Sequence, residues 1–95
     1  MTGTKHTGEG LDARRRKLLF RSWHRGMREM DLILGSFADA EIENLTDAEI
    51  DQYEALLEIS DTELLPWLTG KQQAPIGIDS KILNKIMAFR RSIRF

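Results

Sequence analysis

The chain contains no cysteine. Disulfides, thiolate catalysis and cysteine-ligated zinc are therefore excluded. Histidine is nearly as scarce. His6 lies in an N-terminal stretch without apolar periodicity, and His24 has no second nitrogen ligand one helical turn away. A histidine zinc site is not expected. No apolar run approaches the roughly 20 residues needed to cross a bilayer. No apolar signal-peptide core precedes Leu11, and that stretch is too short for a mitochondrial presequence. A cytoplasmic protein without membrane insertion is expected. No phosphate-binding loop, dinucleotide fingerprint or nucleophile elbow occurs, so the chain is not expected to be an enzyme.

What is present is a chain of 95 residues, 31% charged and 41% hydrophobic, enough for one globular domain. Its net charge of −1 conceals a strong pattern. Residues 1–28 carry eight basic and two acidic side chains; residues 29–70 carry twelve acidic and no basic ones; residues 71–95 carry six basic residues against Asp79 alone. Two arrangements fit a basic, acidic, basic order. The basic ends can pack beside the acidic middle and neutralise it, or they can form a patch for an acidic partner or a nucleic acid.

Apolar spacing predicts helices throughout. Residues 1–10 are Gly- and Thr-rich and read as a mobile tail, leaving 11–95 as one helical domain. Asp12 is placed to cap a first helix running to about His24, with Leu11, Leu18, Leu19 and Trp23 on its apolar face. Gly26 follows as a natural C′ residue. A second helix, from about Met27 to about Glu43, carries Met27, Met30, Leu34, Phe37 and Ala38 as a stripe widened by Leu32 and Ile33. It reads as the central helix, with Gly35-Ser36 as a place to bend.

Thr46 and Glu49 have capping-box spacing, with Leu45 and Ile50 as a hydrophobic staple. They begin a third helix bearing Ile50, Tyr53, Leu56 and Leu57. A similar start at Ser60 to Glu63 leads into Leu64, Leu65, Trp67 and Leu68, shortened by Pro66 and ended by Gly70. After a loop, Asp79 is the expected cap of a last helix with Ile82, Leu83, Ile86, Phe89 and Ile93 inward. Arg90, Arg91 and Arg94 fall in its last turns, where the helix dipole favours cations. No segment alternates with period two. The reading is an all-α, compact five-helix bundle, monomeric when free, with Trp23 and Trp67 substantially buried.

Trp23, Phe37, Tyr53, Trp67 and Phe89 fall on apolar stripes, which suits a core rather than a base-stacking platform. The carboxylates of the middle segment read as solvated helix faces. One stretch is left over, Arg25-Gly26-Met27-Arg28-Glu29, where a basic helix should end and an apolar one begin. Its plain reading is a helix cap with an i,i+4 Arg25–Glu29 contact of at most about 0.5 kcal/mol. Its other reading is a surface presented to a partner. Gly26 admits close backbone approach, Arg25 and Arg28 offer donors, and Glu29 offers a carboxylate.

The run K-L-L-F-R-S-W-H-R-G-M-R-E-M-D-L-I-L-G-S-F resembles the SdhE family, the succinate dehydrogenase assembly factors. Their hallmark is R-G-x-x-E followed by an Asp and an apolar helix. The likeness continues through L-T-D-A-E-I-D-Q-Y-E-A-L-L-E-I-S-D-T-E-L-L-P-W-L-T-G, covering about Leu11 to Gly70. The resemblance implies a helical protein that binds the flavoprotein subunit of succinate dehydrogenase and, in some bacteria, fumarate reductase. It implies that the protein promotes covalent attachment of FAD to a histidine of that subunit without supplying the bond-making groups. FAD then belongs to the partner, and this chain binds no cofactor. The partner-binding residues carried over are Arg25, Gly26, Glu29 and Asp31. Arg28 occupies a variable position, and His24 stands where many relatives have a second Arg.

A rival reading is a nucleic-acid-binding or antitoxin-like helical module, supported by the basic first and last helices. The acidic middle, the near-zero net charge and the core placement of the aromatics oppose it. Steep salt dependence of DNA binding would favour the rival; co-purification with a flavoprotein would favour the assembly factor.

Overall fold

The computed structural model describes residues 10–78 and 81–92. The expected tail residues 1–9 with His6, the expected cap Asp79, and Ile93 and Arg94 lie outside the described residues. Asp12 caps the first helix, α1 (Ala13–Trp23), through its side chain, which accepts the Arg15 N–H at 2.7 Å. That N–H, followed by the Arg15 guanidinium, holds the Asp12 carboxyl below its usual range. The second helix, α2 (Arg28–Glu41), is shorter than the sequence suggests and tightens into a 3-10 turn, Ile42–Asn44. Arg15 of α1 explains the stop. Its guanidinium donates to the carbonyls of Ile42 at 3.0 Å and Leu45 at 2.5 Å, holding carbonyls that have left the α-helical ladder.

The third helix, α3 (Asp47–Leu57), starts at a complete capping box between Thr46 and Glu49, with Leu45 and Ile50 buried as the staple. The fourth, α4 (Asp61–Leu68), begins after Ser60. The Ser60 hydroxyl does not cap it; it faces Thr62 at 3.2 Å and the Glu63 carboxylate at 3.3 Å instead. Pro66 lies inside this eight-residue helix, and Gly70, at φ +82°, turns the chain out of it. The last helix, α5 (Lys81–Ser92), receives a cap from α3: Gln52 Oε1 accepts the Ile82 N–H at 3.2 Å.

These five α-helices form one all-helical domain, and no strand occurs among the described residues. Helix α2 is the hub. It packs mainly on α1 and also on α5, while α3 leans on α5 and α1. Phe37 of α2 meets Tyr53 of α3 and Phe89 of α5 edge-on, each at 5.7 Å between ring centres. Tyr53 is fully buried, and its hydroxyl lies 2.5 Å from that of Ser22, which in turn lies 2.8 Å from the Leu18 carbonyl. The Tyr53 hydroxyl also lies 3.3 Å from the Leu34 carbonyl, so the two hydroxyls and two carbonyls form one buried hydrogen-bonded group. Burial pushes the Tyr53 hydroxyl pKa up, so it stays protonated.

Trp67 is buried, but Trp23 is only partly so, because it stands at the edge of the α1–α2 seam. Its ring lies flat enough over Gly35 that a Cβ there would come within 2.2 Å of it. Gly35 thus sets the closeness of α1 to α2, a packing role that the sequence did not suggest.

The charge pattern resolves partly inside the chain. Arg14 of α1 grips Asp51 and Glu54 of α3, and Arg21 reaches Glu58 at 2.8 Å. Lys85 of α5 sits 2.7 Å from Glu49, whose carboxylate is nearly buried; Lys81 lies at 3.9 Å. Lys85, followed by the Thr46 N–H, holds the Glu49 carboxyl down to about 2. The basic ends do neutralise part of the acidic middle.

Candidate functional site

The corner between α1 and α2 is built by Arg25. Its side chain is 11% exposed and turns back into the protein. Nε donates to Asp61 at 2.8 Å, Nη1 to the Leu57 carbonyl at 2.6 Å, and Nη2 to the Ile59 carbonyl at 2.6 Å. Asp61 opens α4, while Leu57 ends α3, so one guanidinium ties the corner to the α3–α4 junction. A cation suits both partners: the carbonyls at a helix C-terminus and a carboxylate in a first turn. Asp31, one turn into α2, completes the tie by accepting the Arg25 backbone N–H at 2.7 Å.

The sequence-level contact between Arg25 and Glu29 does not form among the described residues, because Arg25 is committed elsewhere. Arg25 also precedes α2 rather than sharing a helix with Glu29. Gly26 is displaced by one position from the expected C′ role. His24 is the C-cap of α1, which makes Arg25 the C′ residue and Gly26 the next. Gly26 has φ +95°, where a side chain is strained, yet an added Cβ would meet nothing within 4 Å. The glycine is needed for the turn, and its open side faces outward.

Around that turn the remaining candidates point away from the core. Arg28 and Glu29, the first two residues of α2, are exposed, and neither makes an ion pair among the described residues. Glu29 sits in the first helical turn, where a carboxylate is favoured by the helix dipole. His24 is exposed; its Nδ1 lies 2.7 Å from the Phe20 carbonyl. A carbonyl only accepts, so Nδ1 carries the proton and Nε2 faces out. The His24 ring stacks on Phe20, with centres 4.0 Å apart and planes at 17°.

Residues suggested as one partner-binding set therefore divide. Arg25 and Asp31 are spent on the fold, whereas His24, Gly26, Arg28 and Glu29 are displayed by it. Phe20 escaped the reading of the sequence. Its signal was its register: it follows Leu19 immediately and so lies about 100° beyond it, off the apolar face of α1. A shallow depression opens beside it, lined by Phe20, His24, Arg25, Leu57, Ile59 and Asp61 among others. The chemical means of the corner are donors, one carboxylate and an aromatic stack. No cluster of side chains able to hold a metal occurs among the described residues, and no helix there is long and apolar enough to cross a membrane.

Residues 16–90 match the family model of Sdh5, the flavinator of succinate dehydrogenase. The chain belongs to this family. It is 42% identical over 67 residues to the FAD assembly factor SdhE of Acetobacter pasteurianus, covering 70% of this chain and 62% of that protein. It is 36% identical over 76 residues to the mitochondrial succinate dehydrogenase assembly factor 2 of Dictyostelium discoideum, covering 80% of this chain and 54% of the relative. Against the Caenorhabditis elegans protein of the same name the identity is 30% over 92 residues, covering 94% and 77%. The chain thus spans between about half and three quarters of the length of these relatives. No solved structure is significantly similar to it. The R-G-x-x-E corner lies inside the segment that the family model matches.

Proposed function

We propose that this protein docks on the flavoprotein subunit of succinate dehydrogenase and promotes covalent attachment of FAD to it, without catalysing the bond itself. Its docking face is the corner that displays Gly26, Arg28, Glu29 and His24. The observation that carries this reading is the division of labour within the motif. Arg25 and Asp31 immobilise the turn from behind, so four displayed residues are held in one arrangement before any partner arrives. Preorganisation of this kind reduces the ordering cost of association. Gly26 offers an open backbone approach, Glu29 an acceptor for a partner donor, and Arg28 a donor for a partner carboxylate.

The flavin stays with the flavoprotein in this reading. No step is assigned to a flavin held by this chain. The family's role fits a helper that stabilises a reactive conformation of its client; fumarate reductase, a related flavoprotein, is a second candidate client. The nucleic-acid reading loses its footing because Arg14, Arg21, Arg25 and Lys85 are engaged by the protein's own carboxylates.

Two measurements test the proposal together. Affinity capture of the tagged chain from its own cells should bring down the succinate dehydrogenase flavoprotein. Cells lacking the chain should show reduced covalent flavin on that subunit by in-gel fluorescence. Normal covalent flavin in such cells would overturn it.

A further inference from the structure

We propose that the solvent face of α1, centred on the Phe20–His24 stack and flanked by Arg16 and Lys17, is a second part of the docking surface. It would seat in an apolar slot rimmed by carboxylates on the flavoprotein subunit. This inference rests on the proposed function and extends its site beyond the R-G-x-x-E corner.

Helical geometry separates the side chains of α1 cleanly. Leu18, Leu19 and Ser22 face the core and are buried. Arg14 and Arg21 lie to one side, taken by Asp51, Glu54 and Glu58 of α3. Arg15 is held by Asp12 and by the carbonyls of Ile42 and Leu45. Opposite the core stand Phe20 and His24, with Arg16 on the α2 side and Lys17 on the α3 side. Arg16 and Lys17 are exposed and make no ion pair among the described residues. Glu54 of α3 and Glu58 just after it are bound directly by Arg14 and Arg21; Lys17 feels Glu54 only at longer range, so Arg16 and Lys17 leave this face basic.

An exposed apolar side chain by itself needs no explanation. Phe20 differs in three ways. It is 62% exposed, and only Ile76 joins it as a large exposed hydrophobe among the described residues. Its ring is fixed in place by the stack on His24, which is itself tethered to the Phe20 carbonyl. A held aromatic loses little rotamer freedom on binding, and such residues recur as anchors at the centre of interfaces. Lastly, His24 is the C-cap of α1 and precedes Gly26 by two residues, so the stack adjoins the corner. The cations beside it select acidic surroundings and speed encounter.

The test uses the full-length chain and the purified, FAD-loaded flavoprotein subunit, with binding kinetics recorded at two salt concentrations. Phe20→Ala should weaken binding at least tenfold, mainly through faster dissociation, at unchanged melting temperature. Phe20→Tyr should restore binding. The double substitution Arg16→Gln/Lys17→Gln should slow association and flatten its salt dependence. If Phe20→Ala binds within twofold of wild type while Glu29→Ala does not, this inference falls and the proposed function stands. If the wild-type chain fails to bind the subunit at all, both fall.

Discussion

Arg25 and Arg28 stand three residues apart in one motif, with the same charge and the same length, and do opposite work. Arg25 is folded inward onto Asp61, Leu57 and Ile59; Arg28 extends outward with no partner among the described residues. The carboxylates repeat the contrast. Asp31 closes the turn on the Arg25 N–H, whereas Glu29, two residues earlier, is exposed. A motif that looks uniform as text is two interleaved devices in the structure, an inward one that shapes the corner and an outward one that is displayed on it. Loss of function at a motif residue is therefore not evidence of contact with a partner until stability has been measured too.

Substitutions can break this contrast from either side. The largest effect is expected at Arg25. Arg25→Ala leaves Asp61 and two carbonyls without their donor, and removing one member of a largely buried charge pair costs on the order of 3–5 kcal/mol. Denaturant unfolding should show that loss, and flavinylation should fall with it because the corner no longer holds its shape. If Arg25→Ala unfolds like wild type, the inward device does not exist.

Gly35→Ala is next. The new Cβ collides with Trp23, and overpacking of this kind costs about 1–3 kcal/mol. The expected signs are a lower denaturation midpoint and a shifted tryptophan emission, both without a specific defect in partner affinity beyond the loss of folded protein. At Gly26 the two devices meet. Gly26→Ala meets no atom, so only its left-handed backbone is strained, at about 1–2 kcal/mol. A domain of ordinary stability survives that loss. Its affinity for the flavoprotein should fall by more than the stability does, and equal losses would make the glycine purely structural.

Much of this architecture could be read from residue order. The capping box at Thr46, the cap at Asp12 and the apolar stripes of α1, α2 and α5 are local signals, and each folds as its spacing dictates. What stayed hidden was set by contacts distant in sequence. Arg25 lies 32 and 34 residues from the carbonyls it holds, and no local pattern tells a clamp from a displayed cation. The packing role of Gly35 stayed hidden because its neighbour Trp23 lies on another helix. Ser60 has the right spacing for a capping box, but its hydroxyl turns to Thr62 and Glu63. The corner was legible as a place, because a glycine flanked by charges marks a helix junction; which of its residues face outward was not. Phe20 could have been found by asking which aromatic fails to join a stripe.

Glu29 is expected to work on the partner and not on the fold, and a single strain separates the two. Glu29→Ala, expressed at its normal level as the sole copy, is compared with wild type for covalent flavin on the denatured flavoprotein subunit and for the melting temperature of the purified chain. Stability should stay within about 0.5 kcal/mol, as for an exposed side chain. A partner donor left unpaired should cost about 1–3 kcal/mol of affinity, so in-gel flavin fluorescence should drop clearly. Wild-type fluorescence, or a drop accompanied by a matching loss of melting temperature, would remove Glu29 from the docking face.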